Sequence, residues 1–496
     1  MSEPRLRADA VVVGSGAGGA PAAAALAEAG LEVVLLEAGA RWETRDFDGE
    51  EARMLARLMK ATTASGSGME LYAGACVGGS TVVNDALCWA PPPEVLARWR
   101  AEHGLVGLTE STLAPHVERV WAEIGAAPTG PANLSRNARL LEAGARRLGW
   151  AGAAMARNVR GCVNLGLCNL GCPSGAKQSA LLTWVPRAER AGARVLAHAR
   201  ALRVAIEAGR ARGVEVLRLD PASGEPAGPL RVEAPLVVLA AGILETPALL
   251  LRSGIAAGEG LQLHSSVSVT ARFAEPVYGF FGPTMAYAVT EFSDVHGRHG
   301  PGFMLENVSV AAPVTANALP RFGADLERAM GALPHLARTV VVLRDEARGR
   351  VTLARDGSAR IAYAPTPGDL GRIGDAIGRL ARLYLAAGAE EVWLPLEASA
   401  PIRSEAELAA LAPRALGPRD LTLLYAVHLF GGAAMGGDPA HSVCDEAGAV
   451  RGVAGLYVSD ASSLPGNTGV NPQVTIMANA LRIAERARTG ERARAA

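Results

Sequence analysis

The chain has almost no lysine. Of 49 basic residues only Lys60 and Lys177 are lysines, and the remainder are arginine, which reads as genomic base composition. Nor is there an excess of either charge, because 49 Asp and Glu residues bring the formal net charge to +0. Without a basic field, nothing favours nucleic acid or an anionic membrane surface, so a small-molecule substrate is expected, with peripheral membrane contact left open. Long apolar runs are also lacking. The longest, residues 234–251, contains Glu245 and Pro247 and reads as strand, turn and helix, so no transmembrane segment is expected. The opening MSEPRLRADA has no apolar core or cleavage site of a secretory signal, which places the expected location in the cytoplasm. Cysteines number 6, and three of them crowd into Cys162, Cys168 and Cys172. That distribution excludes the spread disulfide framework of a small secreted protein and leaves thiol or metal chemistry open.

What is present suits a large folded enzyme. Hydrophobic residues make up 49% and charged residues 20%, and 496 residues exceed the size of one core, so two closely joined domains are expected. Ala10–Val13 is followed by GSGAGG, an alanine-rich helical stretch and LEVVLLE, which together spell strand, tight turn, helix, strand. PLVVLAAG at 235–242 repeats the strand signal and can lie in the same sheet, with a helix after it ending at Gly254. Residues 193–220 alternate apolar and polar positions with turn residues at Gly209 and Gly213, as in a hairpin. From about residue 262 to 424 strand-like pieces dominate, with a helix near 370–387.

Gly14, Gly16 and Gly19 form G-x-G-x-x-G between strand and helix. The first allows the tight turn, the second lets backbone approach a pyrophosphate, and the third lets helix and strand pack closely. Glu37 ends the next strand, where a carboxylate accepts hydrogen bonds from adenosine ribose hydroxyls. The pattern predicts dinucleotide binding and does not separate FAD from NAD.

Three further stretches carry a resemblance. GACVGGSTVVNDALCWAPP at 74–92, AAGILETPALLLRSGI at 240–255, and HLFGGAAMGGDP, GLYVSDASSLP and GVNPQVTIMANA near the C-terminal end resemble the signatures of the glucose-methanol-choline (GMC) flavoenzymes. Thr246 replaces the usual serine of the second signature. The resemblance implies an α/β fold with a Rossmann-type FAD domain built from discontinuous segments, 1–95, 155–270 and 425–496. An α+β antiparallel-sheet substrate domain is implied at 271–424, with 96–154 as a cap segment. It implies FAD contacts at Gly78, Gly79, Ser80, Asn84, Val204, Asp460 and Ala461. Val83 stands where some relatives carry a flavin-linking histidine, so non-covalent FAD is expected.

Oxidising an alcohol removes a hydroxyl proton and a carbon-bound hydride, and a histidine of ordinary pKa about 6.5 suits the proton acceptor. Among nine histidines, His428 stands in a motif of the resemblance and is the expected base. Asn471 takes the place of the second catalytic residue, an arrangement similar to the cholesterol oxidase branch, and an amide holds the substrate oxygen without competing for the proton. Pro472 is expected to begin a helix whose dipole faces the flavin. Glu306 reads as a partly exposed strand residue, with substrate orientation as the alternative. Cys162, Cys168 and Cys172-Pro173 resemble a ferredoxin pattern whose second cysteine is Leu165, which leaves an iron-sulfur cluster open. Lys177 reads equally as a phosphate or loop-closing contact and as a solvated side chain. Apolar text such as VYGFFGPTMAYAV at 277–289 favours a lipophilic alcohol. The expectation is an FAD-dependent alcohol oxidoreductase passing electrons to oxygen or another acceptor. The alternatives are an electron-transferring dehydrogenase subunit, a non-redox FAD lyase and a NAD enzyme.

Overall fold

Strands Arg194–Leu196, Val33–Leu36, Ala10–Val13, Leu236–Leu239 and Leu456–Val458 lie side by side in that order, all parallel. The sequence dictates this placement: AVVV, VVLL and LVVL are apolar without alternation, the pattern of strands covered on both faces, and every residue in them is buried. Each such side chain contributes about 2 kcal/mol relative to exposure. This is a computed structural model, and it describes residues 4–397, 399–411 and 415–495. Helix Gly19–Glu28 packs on Trp184–Arg190 and on the long helix Gln473–Ala495, which in turn packs on Glu110–Ile124. The strands come from three distant stretches of chain, as expected of a discontinuous Rossmann-type domain.

The expected hairpin is Ala199–Glu207 with Arg210–Leu219, turning at Ala208 and Gly209, whose φ values of 49° and 71° suit a two-residue turn. Gly213 is not a turn residue. It lies inside the second strand, where a Cβ would collide with the Val232 carbonyl of the neighbouring strand Pro226–Glu233. Edge strand Arg5–Arg7 completes that sheet.

The second body is a mostly antiparallel sheet. It runs Met59–Thr63, Glu70–Gly74, Tyr425–Ala426, Ser266–Arg272, Leu336–Leu343, Phe303–Asn307, Tyr287–Val289 and Gly152–Ala154. Helix Pro367–Ala387 covers its centre. The helix starts with a reciprocal pair, Thr366 Oγ1 accepting from the Asp369 amide at 3.0 Å and the Asp369 carboxylate accepting from the Thr366 amide at 2.9 Å, and stops at Gly388 with φ 96°. Residues 96–154 feed both bodies: Trp99, Leu113 and Ile124 join the core of the parallel sheet, while Ala138, Leu141 and Ala145 join that of the antiparallel one. No described helix is long and apolar enough to cross a membrane.

A short antiparallel pair positions the site. Glu259–Leu263 faces Leu429–Phe430 with Gln262 opposite Phe430 and Leu263 opposite Leu429. One step further along the same register, His264 falls opposite His428.

Helix Arg136–Arg147 packs closely on Pro367–Ala387 because position 144 has no side chain; a Cβ there would collide with the Leu383 carbonyl. Gly144→Ala gains about 1 kcal/mol of helix propensity but forces a methyl against backbone that cannot rotate away. Overpacking wins, and a net loss of ~1–2 kcal/mol is expected. A lowered melting temperature by calorimetry checks it, and an unchanged or raised one would show that the two helices are not pinned there.

Candidate active site

The glycines of the N-terminal motif are required by their neighbours. Gly14 has φ 97°, and a Cβ there would collide with the Ala240 carbonyl; a Cβ on Gly19 would collide with the carbonyl of Gly14. A Cβ on Gly79 would lie 2.8 Å from Gly16 Cα, and one on Gly18 would lie 2.7 Å from Asp460 Cα. The loops at 14–19, 78–80, 240–242 and 460–463 therefore meet backbone to backbone. Glu37 lies at their edge. Its carboxylate accepts from Ser15 Oγ at 2.6 Å and from the Gly39 amide at 2.9 Å, while Ser15 Oγ accepts from the Gly78 amide at 2.9 Å. Burial pushes its pKa up against these bonds. Ser80 Oγ accepts from the Gly74 amide at 2.9 Å.

Asp460 ties the C-terminal segment to the second signature. One carboxylate oxygen accepts from the Gly242 amide at 2.7 Å and Thr246 Oγ1 at 2.6 Å, and the other accepts from the Ser462 amide at 2.8 Å. Threonine thus does here what a hydroxyl at position 246 must do. The Ala461 carbonyl accepts from the Gly431 amide at 3.1 Å, bringing the loop after His428 against Asp460. Val204 is buried in the hairpin sheet, its amide donating to Ser253 Oγ at 2.9 Å.

Asn84 is tied to Gln473, at the start of the C-terminal helix. The Asn84 amide nitrogen donates to Gln473 Oε1 at 2.9 Å, and Gln473 Nε2 donates to the Leu87 carbonyl at 2.8 Å. Lys177 is 1% exposed, so the solvated alternative is excluded. Its ammonium donates to the carbonyls of Val82 at 2.6 Å and Asn84 at 2.8 Å, and to that of Cys168. It closes the loop that follows Gly78, Gly79 and Ser80. Burial lowers its pKa to about 8.

His428 is half-buried and neutral, burial pulling its pKa down to about 4. Its Nδ1 stands 3.1 Å from Nδ1 of His264, and the rings are perpendicular. His264, 1% exposed, accepts the Gly469 amide on Nε2 at 3.1 Å. Gly469 precedes Asn471 by two residues, so this chain of bonds joins the two motif residues. Asn471, 5% exposed, stands just ahead of helix Gln473–Ala495, which begins one residue after Pro472. Sequence reasoning missed His264. The signal available was the LQLHSS strand, whose register depends on a partner 164 residues away.

Glu306 corrects its expectation too. It is 0% exposed, in the middle of a sheet. Oε2 accepts from Asn471 Nδ2 at 3.3 Å, while Oε1 and Asn471 Oδ1 have no partner. Burial, aided by nearby Asp85, pushes the carboxyl up to about 7. Met285 Sδ lies 3.8 Å from Asn471 Nδ2 and belongs to an apolar cluster with Leu87, Met155, Val340 and Val342.

Family models for the N-terminal and C-terminal parts of GMC oxidoreductases match residues 9–266 and 345–480. The chain belongs to the GMC oxidoreductase family. A GMC-type oxidoreductase of Mycobacterium tuberculosis is 38% identical over 97% of this chain and 75% of its own length. A long-chain-alcohol oxidase of Arabidopsis thaliana is 29% identical over 96% of this chain and 66% of its own length. A formate oxidase structure from Aspergillus oryzae superposes with a TM-score of 0.74 at 17% identity, covering 99% of this chain and 100% of that one. Segment 267–344 lies between the two family models, and His264 lies inside the first.

This GMC enzyme is an FAD-dependent oxidoreductase. Its residues fit the cofactor: the loop glycines let backbones meet where any Cβ would collide, the N-terminus of helix Gly19–Glu28 has no side-chain cap, and Asn471 Oδ1 is buried without a partner. An iron-sulfur cluster does not fit. Cys168 Sγ accepts from Arg157 at 3.1 Å, Cys172 Sγ accepts from the Lys177 amide at 3.3 Å, and Cys162 pairs with Asn164 at 3.8 Å. No group of three His, Cys, Asp or Glu side chains among the described residues is placed to hold a metal ion.

A carboxyl whose folded pKa is raised to about 7 holds its proton in the native state and loses it in the unfolded state near 4.5. Between those values the folded state binds more protons, so stability falls as pH rises. Glu306→Gln keeps the bond to Asn471 and removes the titration. It is expected to raise the melting temperature at pH 8 while changing it little at pH 5, the difference in stability gain between the two being on the order of 2–3 kcal/mol. Equal effects at both pH values would mean that Glu306 is ionised throughout.

Proposed function

We propose that this enzyme oxidises a lipophilic primary or secondary alcohol to the carbonyl, with His428 and Asn471 as the pair that handles the alcohol oxygen. The reading is supported by a chain of hydrogen bonds that runs from His428 through His264 to Gly469, two residues before Asn471, and by the apolar cluster beside Asn471. The long-chain-alcohol oxidase names among its relatives agree with that chemistry.

FAD, when bound, supplies the two-electron acceptor. Gly14, Gly16, Gly19, Glu37, Gly78, Gly79, Ser80, Asn84, Val204, Asp460 and Ala461 would hold it, and Val83 offers no nucleophile for a covalent link. The protein's own part is to bind and orient the alcohol. Neutral His428 presents one ring nitrogen to the hydroxyl, Asn471 presents its free Oδ1, and Met285 with Leu87 and Met155 keeps the surroundings apolar. Low polarity around the reacting oxygen strengthens each of these bonds.

His428→Ala is expected to retain FAD and lose at least ~100-fold in turnover of a medium-chain alcohol. Anaerobic mixing of the wild-type enzyme with that alcohol is expected to bleach the flavin absorption, with peroxide formed on admitting air. Turnover near wild type in a flavin-loaded mutant would sink the assignment.

A further inference from the structure

We propose that an anion subsite lies beside the alcohol site, built on Arg338 with Arg157 in support, and that the preferred substrate is an alcohol bearing a carboxylate at the far end of an apolar chain. The inference rests on the reading that His428 and Asn471 meet the alcohol oxygen, and it names the class of alcohol.

Strand register places both arginines. Residues directly opposite in an antiparallel pair share a face, and so do residues two apart along one strand. Glu306, which accepts from Asn471, stands opposite Val340, and Val340 belongs to the apolar cluster around Met285. Arg338 comes two residues before Val340 on strand Leu336–Leu343, so it shares that face, roughly 7 Å further along. Its guanidinium leans back toward the cluster: Nη2 donates to Ser268 Oγ at 3.1 Å, and Ser268 is also opposite Val340. The second arginine comes from strand Ala156–Asn158, which pairs with Leu87–Cys88. Arg157 is opposite Leu87, another member of the same cluster. The other face of the sheet, with Val267, Leu305 and Val341, is filled by the core that Ile373 and Ile377 of helix Pro367–Ala387 share.

Both arginines are short of negative charge. Arg338 is 3% exposed and Arg157 1%, neither forms an ion pair among the described residues, and Nε of each lacks a partner. Arg157 donates through Nη2 alone, to the Asp85 carbonyl at 3.3 Å and to Cys168 Sγ at 3.1 Å. Asp85 and Glu51 are the carboxyls whose charge acts on these groups. Burial pushes both toward the neutral form and outweighs the opposite pull of the arginines. Glu306, held neutral in the same way below about 7, does not repel an anion passing beside it.

A buried guanidinium without a counter-ion is costly, and the same exclusion of water makes its pairing strong once an anion arrives. The cofactor's pyrophosphate belongs to the glycine loops at the head of the parallel sheet, which leaves these arginines of the antiparallel side to the substrate. The N–H groups of a guanidinium match the two oxygens of a carboxylate. Between the arginine and Asn471 lie Val340, Met285 and Leu87, which suit methylenes. A chain of about six carbons spans the roughly 7 Å between the two ends.

Measuring kcat/KM of the FAD-loaded enzyme on 6-hydroxyhexanoate and on hexan-1-ol tests the proposal. The hydroxy acid is expected to be preferred by at least ~10-fold, as for a charge-assisted hydrogen bond in a buried site. Arg338→Gln is expected to bring the ratio close to one, and Arg338→Lys to keep part of the preference. Equal values for the two substrates in the wild-type enzyme, or a preference for hexan-1-ol, would overturn the subsite; loss of FAD from Arg338→Gln alongside that result would assign the arginine to the cofactor. Titration of hexanoate into FAD-loaded enzyme by calorimetry gives a readout apart from turnover. Binding that weakens at least ~10-fold in Arg338→Gln is expected, and no binding to the wild-type enzyme would sink the proposal. If neither alcohol is oxidised, the functional reading fails and hexanoate binding still decides the subsite.

Discussion

At the head of the parallel sheet, Gly19 approaches Gly14, Gly79 approaches Gly16, and Gly18 approaches Asp460 more closely than any Cβ allows. These three approaches bring together segments from the start, the first third and the end of the chain. The anchoring of Asp460 and the placement of the long C-terminal helix follow from them. A methyl at any of the three would have to separate backbones that are also linked by hydrogen bonds, and so would open the whole junction.

Around that junction, buried charge is used to hold loops together. Asp460 collects three donors from two loops, Asp345 holds Ser265 and Tyr363, and Lys177 gathers three carbonyls on either side of the loop after Ser80. Burying an ion is costly unless its hydrogen-bonding capacity is met, and each of these groups meets it with backbone or hydroxyl partners. Loops that would otherwise wander are tied at points near the chemistry. Glu306 differs in that one oxygen lacks a partner; like Asp345, it holds its proton more tightly than an ordinary carboxyl because it is buried.

The fold class, the glycine motif and the strands Ala10–Val13 and Leu236–Leu239 were legible because glycine spacing and unbroken apolar runs have few other causes. His428 and Asn471 were legible only through the family resemblance. His264 was not, since a lone histidine in an apolar strand carries no mark of a partner far along the chain. Glu306 misled because a carboxylate amid apolar residues suits a half-exposed strand, whereas Phe303–Asn307 has neighbours on both sides and is buried throughout. Lys177 stayed undecided between two readings for a related reason: nothing local tells a solvated lysine from one that three carbonyls enclose. Gly213 was taken as a turn although its work is to let two strands approach.

The order of the parallel sheet also bears on biosynthesis. Leu236–Leu239 lies between Ala10–Val13 and Leu456–Val458, so during translation its second flank has no partner until Leu456–Val458 has emerged. Asp460, Gly469 and Asn471 emerge later still. Until then the nascent chain carries an apolar, unpaired strand edge, the kind of surface on which chaperones act and aggregates begin. Closure of the parallel sheet therefore waits for a segment made long after its first strands.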